Sequence, residues 1–204
     1  MQPTSLLDEP LVLSARSATP TVEPDAAAPA PVHPSIDARV LALFDDAALR
    51  QQLGHLDKLE LASVRRLTLA ALARLDEQLP GPTNALNVHR RLLGGLAGES
   101  LLIAAALFLR NLAEAERFFK LSFKTIKARL GGALDADTGA LAMRAARATL
   151  YAADVLGSLD AARDYMHMRN FALGGATPAD LVRTDGGERI VLNELQTQAE
   201  GGPL

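Results

Sequence analysis

Several residue types that mark common functional classes are missing or scarce in this sequence of 204 residues. It has no cysteine, which excludes disulfide bonds, thiolate metal sites and a cysteine nucleophile, and which fits a reducing compartment. It has no tryptophan, and only 4% of its residues are aromatic. Its apolar residues are mainly leucine and alanine, the strongest helix formers. The composition therefore predicts an all-α protein.

Charge and hydropathy limit the partners and the compartment. The net charge of -3 argues against a uniformly basic surface, so any contact with nucleic acid needs a local basic patch. The most apolar run, Leu101 to Leu109, is far shorter than the roughly 20 residues that cross a bilayer as a helix. Asp8 and Glu9 lie where a secretory signal has its basic residues. We therefore expect a cytoplasmic protein with no membrane partner.

Shifts in composition divide the chain into four segments. Residues 1–34 contain seven prolines among Ala, Ser and Thr, which predicts a disordered tail, although Leu11 to Leu13 form a short apolar run. Residues 35–98 are predicted to be an N-terminal helical region with a connector after Pro82. Residues 99–157 are predicted to form a helix-turn-helix-like domain, and residues 158–204 a small helical domain.

Apolar residues at three- and four-residue spacing predict where the helices lie. The first begins at Ser35 and carries apolar residues as far as Ala47, and the others are expected near 58–79, 99–110, 112–119, 123–130, 138–156, 159–168, 178–184 and 188–199. Glycines at 131–132, 157, 174–175 and 186–187 are predicted to end helices in a left-handed conformation. Thr177 and Pro178 predict a helix start, with a threonine N-cap before a proline at the first helical position.

The stretch from Leu112 to Leu130 resembles a helix-turn-helix, in which the second helix enters the DNA major groove. Phe119 and Leu121 are its expected core anchors, and no acidic residue lies between Arg117 and Leu134. The candidate DNA-binding residues are Lys120, Ser122, Lys124, Thr125, Lys127 and Arg129. The motif usually has glycine at the turn and a small residue one turn earlier, where this chain has Lys120 and Glu116. Either the turn differs or the helices splay, and a solvated basic face on an ordinary hairpin is the alternative.

The C-terminal residues carry the most specific pattern in the chain. The predicted helix near residues 159–168 contains Ala161, Ala162 and Tyr165. It is followed by Asn170, Leu173-Gly174-Gly175, Thr177-Pro178, Thr184, Gly187, Val191 and Leu195. This pattern resembles the toxin-binding domain of the Xre/MbcA/ParS antitoxins, in which tryptophan is most often found where this chain has Tyr165. The likeness extends over about residues 112–202, and its C-terminal part is the more specific.

The resemblance implies an antitoxin of a type II toxin-antitoxin pair. Its partner would be a RES-domain toxin that consumes NAD, silenced because the antitoxin covers the entrance to its active site. The resemblance also implies repression of the antitoxin's own operon through operator DNA, and a homodimer. The candidate toxin-binding residues are Asn170, Phe171, Leu173, Pro178, Arg183, Thr184 and Glu188. Each of them equally suits packing within the domain.

The sequence offers no convergent set of reactive groups. The four histidines lie in separate segments without metal-ligand spacing, and no phosphate-binding loop is present. We therefore expect no catalytic residue, no metal and no cofactor. Two further hypotheses remain open, a stand-alone helix-turn-helix DNA-binding regulator without a toxin and a helical scaffold.

Overall fold

The computed structural model describes residues 34–56, 59–78 and 83–201, with side chains from residue 36 onward. Of the predicted tail at residues 1–34, residues 1–33 lie outside the described residues, and Pro34 is instead the first residue of a helix. Eleven α-helices and one 3-10 helix form within these ranges, which confirms the all-α prediction. The helices are α1 (Pro34–Asp45), α2 (Ala47–Gly54), α3 (Leu61–Glu77), α4 (Ala85–Leu93), α5 (Ser100–Phe108), α6 (Leu112–Phe119), α7 (Phe123–Arg129), α8 (Ala136–Leu156), α9 (Leu159–His167), α10 (Pro178–Leu181) and α11 (Asp185–Ala199), with the 3-10 helix at Phe171–Leu173.

Helices α5 and α8 form the centre of the molecule. Every residue of α5 is buried, and α8 packs against α1, α5, α9 and α11. The apolar run that the sequence shows at residues 101–109 is thus a core helix, because it is enclosed on all sides by other helices. Among the described helices, none combines the length and the apolar character needed to cross a membrane.

The backbone carbonyl groups at the C-terminal end of α5 have basic side chains of two other helices as hydrogen-bond partners. Arg65 on α3 donates to the carbonyl oxygens of Ala106 and Leu109. Arg163 on α9 donates to the carbonyl oxygen of Leu107 at 2.8 Å, and His167 Nε2 lies 2.9 Å from that of Phe108. The last carbonyls of a helix have no partner within it and carry its negative dipole end. These side chains therefore allow the end of α5 to be buried.

A buried ion network joins the first, central and last helices. Arg147 on α8 donates to Asp37 on α1 through Nε at 2.5 Å, and to Glu188 on α11 through Nη1 at 2.8 Å. Burial raises the pKa of Glu188 against the opposing effect of Arg147, and the nearby Arg144 and Asp37 act more weakly. The N-terminal helical region is thereby tied to the C-terminal domain.

One hydrophobic cluster extends from Ile36 to Leu195 and includes side chains of all the described segments. The N-terminal helices share this core through contacts of α1 with α8 and of α3 with α5. The predicted segment boundaries after residues 98 and 157 therefore do not coincide with a break in the hydrophobic core. The division into domains remains a prediction from the sequence.

Three local predictions need correction. A separate helix α2 begins after Asp46, whose side chain accepts a hydrogen bond from the Leu49 amide and caps it. The predicted stop at Gly186-Gly187 is wrong, because both glycines lie in the first turn of α11, which Thr184 caps. Helix α10 is accordingly shorter than predicted and α11 starts earlier. The predicted left-handed glycines at 131, 157, 174 and 175 are confirmed.

Candidate functional site

An open groove of about 930 Å³ lies on the C-terminal domain between α9, α11 and the loop that contains the 3-10 helix. Its lining is mainly apolar. Three large apolar side chains on its lining are solvent-exposed, namely Met168 (62%), Phe171 (98%) and Ile190 (52%). Half of the exposed large apolar side chains recorded in the described residues thus lie at this groove. Such clustering of exposed apolar side chains is typical of interaction surfaces.

The loop beside the groove is held rigidly at its base by Asn170. The Asn170 amide donates to the carbonyl of Ala176, and its own carbonyl accepts from the Gly175 amide. Its side-chain oxygen accepts from the Ala172 amide at 2.8 Å. Gly174 and Gly175 take positive φ, which lets the chain turn back without a steric cost. The result is a fixed loop that presents Phe171 to solvent.

Glu194 on α11 forms the polar floor of the groove. Its carboxylate accepts hydrogen bonds from the Tyr165 hydroxyl, from the Asn170 side-chain amide at 3.0 Å and from Gln198. Burial, together with the Glu194 carboxylate, raises the pKa of Tyr165 above its usual range. Tyr165 therefore remains a neutral donor, and these bonds join α9, the loop and α11 into one surface.

The turn between α10 and α11 is closely packed. Arg144 on α8 donates to the carbonyls of Val182 and Arg183, each at 3.0 Å, and to the Asp185 carboxylate at 2.7 Å. Gly187 lies so close to Leu181 that a Cβ atom there would lie 2.0 Å from the Leu181 carbonyl oxygen. This contact fixes the start of α11, the helix that supplies one wall of the groove.

The structure separates the seven candidate toxin-binding residues into two groups. Leu173, Pro178 and Glu188 are buried in the chain itself, and Thr184 caps α11. Arg183 lies over the Phe118 ring at 5.7 Å and so contacts α6. Phe171 lies at the groove and is exposed, and Asn170 holds the loop that carries it. Most of the seven candidate residues therefore make contacts within the chain itself.

Sequence reasoning missed four residues of the groove, which are Tyr165, Met168, Ile190 and Glu194. One signal for Ile190 was present, because the buried residues of α11 recur as Gly187, Val191 and Leu195, and Ile190 falls outside that face. Tyr165 was identified only as an aromatic residue of the family pattern. Its pairing with Glu194 joins residues 29 apart, which no local pattern indicates.

The predicted helix-turn-helix segment forms two short helices, α6 and α7, joined by residues 120–122. Lys120 adopts the left-handed conformation at φ 53°, so the turn takes the shape that glycine usually provides. Glu116 does not hold the helices apart, because its carboxylate accepts from the Phe123 amide and caps α7. Ser122 also caps α7 by accepting from the Thr125 amide at 3.1 Å. Both departures from the usual motif are therefore accommodated within a tight turn.

The basic candidates on these helices differ in their availability. Lys120, Lys124 and Lys127 are exposed, and Thr125 is half-buried with its hydroxyl 2.8 Å from that of Ser122. Arg129 is paired with Asp135 at 2.9 Å, which places it in the connection to α8. Ile126 is buried, as expected for a residue on the inner face. Three lysines thus form an exposed basic face on α6–α7.

Across residues 34–56, 59–78 and 83–201, no cluster of three or more histidine or acidic side chains has the arrangement that a metal ion needs.

Residues 152–201 match the family model described as the antitoxin Xre/MbcA/ParS C-terminal toxin-binding domain. The match covers the end of α8 and all of α9 to α11, which includes the whole groove. No curated protein matches the chain.

Proposed function

We propose that this chain, whose residues 152–201 match the Xre/MbcA/ParS toxin-binding domain, is an antitoxin of a toxin-antitoxin system. We propose further that it neutralises a RES-domain toxin that consumes NAD. The groove beside Phe171 is the proposed docking surface, and it lies entirely within the matched residues. Neutralisation is steric, since a helical domain seated on the toxin excludes substrate from the active site. An all-helical antitoxin fold is consistent with a protein that is not an enzyme.

The proposed contacts follow from exposure and rigidity. Phe171 projects from a loop fixed by Asn170, so inserting it into a pocket of the toxin orders few additional side chains. An aromatic anchor that is rigid before binding carries a large share of interface energy. Met168 and Ile190 line the groove next to it and would cover an apolar element of the toxin. The buried candidates Leu173, Pro178 and Glu188 maintain the shape of this surface.

Replacing Phe171 with alanine is expected to weaken toxin binding by about 2 kcal/mol, or roughly thirtyfold, because an exposed aromatic anchor is lost. Calorimetric titration of the full-length antitoxin with the toxin encoded beside it measures this change. The thermal unfolding midpoint should stay unchanged, since the ring is 98% exposed.

The matched control is Leu93→Ala, which removes another large, exposed apolar side chain, on α4 and away from the groove. It should leave the affinity for the toxin unchanged. Equal affinities for Phe171→Ala and the original chain would remove this loop from the interface. No binding by the original chain would favour the stand-alone regulator or the scaffold.

We further propose that α6–α7 bind operator DNA and that the antitoxin, acting in the cytoplasm as a homodimer, represses its own operon. The support is the exposed basic face of Lys120, Lys124 and Lys127 on a protein of net charge -3. Symmetric half-sites in operators are matched by two-fold symmetric proteins, which is why a dimer accompanies this proposal.

Reversing charge at Lys124 and Lys127 together is expected to weaken retention of promoter DNA in a mobility-shift assay. It should also lower the slope of log affinity against log salt by about two, because two phosphate contacts are lost. The control is the pair Arg66→Glu and Arg189→Glu, which changes net charge equally at exposed sites on α3 and α11. If both double variants bind equally, α7 does not contact DNA.

A further inference from the structure

The outer face of α4 is an apolar and basic stripe that the proposed function does not use. Leu86 and Leu93 are 53% and 67% exposed, and His89 and Arg90 lie exposed between them. These positions are three, four and seven residues apart and so share one side of the helix. The opposite side carries the buried Val88. We call these four residues the α4 stripe.

The α4 stripe has the chemistry of a site for an acidic, apolar segment. Among the residues that the structure describes, neither His89 nor Arg90 has an ion-pair partner, whereas Arg91, on another side of α4, pairs with Asp45. A binding segment would place carboxylates near the middle of the stripe and apolar side chains at both ends. A second α4 in antiparallel contact that matched Leu86 with Leu93 would instead bring the His89 and Arg90 side chains of both copies together with no carboxylate between them, which disfavours self-pairing.

This chain contains such a segment. Residues 6–13 read Leu-Leu-Asp-Glu-Pro-Leu-Val-Leu, with Asp8 and Glu9 between apolar residues. The same segment is less well matched to the groove of the C-terminal domain, whose lining has two carboxylates, Asp164 and Glu194, against one cation, Arg169. Charge therefore selects the α4 stripe over the groove.

The connection is long enough. Twenty residues, 14–33, separate the segment from the start of α1, and a stretch of that length can span up to about 66 Å. Helix α1 is 12 residues long, about 18 Å, and its last residue, Asp45, pairs with Arg91 on α4. The two ends of the connection therefore lie within reach of each other.

We propose that residues 6–13 bind the α4 stripe of the same chain. Asp8 and Glu9 meet His89 and Arg90, while the flanking leucines and Val12 cover Leu86 and Leu93. Attachment through a short connection raises the effective concentration of the segment to the millimolar range, so a weak contact is sufficient for occupancy. The N-terminus is thereby held on the N-terminal helical region, and the groove remains free for the toxin.

The absence of cysteine allows a direct test by disulfide trapping in the full-length chain. Leu11→Cys with Leu93→Cys places one thiol in the segment and one on the α4 stripe, and Leu11→Cys with Thr197→Cys places the second thiol at the groove. Under oxidised glutathione, the first pair is expected to form an intramolecular disulfide at least about tenfold faster. Adding Asp8→Lys and Glu9→Lys should bring the two rates together. Circular dichroism verifies that each variant is folded.

Equal rates for the two pairs would overturn the proposal, and so would a faster disulfide at Thr197→Cys, which would assign the segment to the groove. A disulfide found mainly between two chains would assign the α4 stripe to a second copy and would also overturn it. None of these outcomes depends on the toxin or on DNA.

Discussion

Gly187→Ala is expected to lower the free energy of unfolding by about 4 kcal/mol, enough to unfold much of a marginally stable protein. A Cβ atom at this position would lie 2.0 Å from the carbonyl oxygen of Leu181 and 2.7 Å from its carbonyl carbon. Both are backbone atoms, held by the clamp of Arg144 on the adjoining turn, so the strain cannot be relieved by moving a side chain. Because α11 lines the groove, toxin neutralisation should fall with stability. Urea unfolding followed by circular dichroism measures the change, since the chain has no tryptophan.

The preceding glycine provides the matched control. Gly186 also lies in the first turn of α11, but a Cβ atom there would have nothing within 4 Å. Gly186→Ala should leave the chain as stable as before or more stable by up to about 1 kcal/mol, because alanine favours the helix. Similar stabilities for the two variants would mean that α10 and α11 are not in close contact.

Arg147→Met is expected to destabilise the protein by about 3–5 kcal/mol, because it leaves Asp37 and Glu188 as buried acids without their shared cation. The same substitution at Arg91, whose pair with Asp45 is exposed on both sides, should cost no more than about 1 kcal/mol. Urea unfolding of the two variants at pH 8 measures the difference. Equal losses would show that the buried network contributes no more than a surface pair.

The loss at Arg147→Met should shrink as the pH falls. Burial raises the pKa of Glu188 above the value of 4.5 that it has in an unfolded chain, and removing Arg147 removes the main interaction that opposes this shift. An acidic group whose pKa is higher in the folded than in the unfolded state destabilises the fold when it is ionised. This destabilisation is complete above the folded-state pKa and absent below the unfolded-state pKa. Measured against the original chain, the deficit should therefore be smaller at pH 5 than at pH 8. A deficit that is constant over this range would exclude Glu188 as its source.

Local sequence patterns predicted the features of this protein that depend on neighbouring residues. The helix start at Thr177 and Pro178, the left-handed glycines at 157 and 174 and the inner face of α7 at Ile126 follow from backbone preferences and from helical periodicity. The C-terminal part of the family resemblance, which rests on spacing along the chain, is confirmed by the match at residues 152–201.

The features that escaped prediction depend on contacts between distant residues. Glycine at 187 indicated a helix end, but it is required by the approach of Leu181. Lys120 stands where a tight turn usually has glycine, so the sequence alone did not predict that turn. Glu116 and Ser122 stabilise it by capping α7. Glu188 was a candidate toxin-binding residue, but it is paired with Arg147 inside the molecule.

By itself, the amino-acid sequence determined the all-α fold of the described residues, the absence of disulfides, the approximate positions of most helices and the resemblance of the C-terminal residues to a toxin-binding domain. Periodicity, capping residues and residue spacing are local properties, and they suffice for these conclusions. Only the tertiary structure decided which side chains are exposed at the groove and which are buried in pairs. That outcome depends on how helices far apart in the chain pack together, because a side chain is exposed or buried only in relation to its neighbours in space.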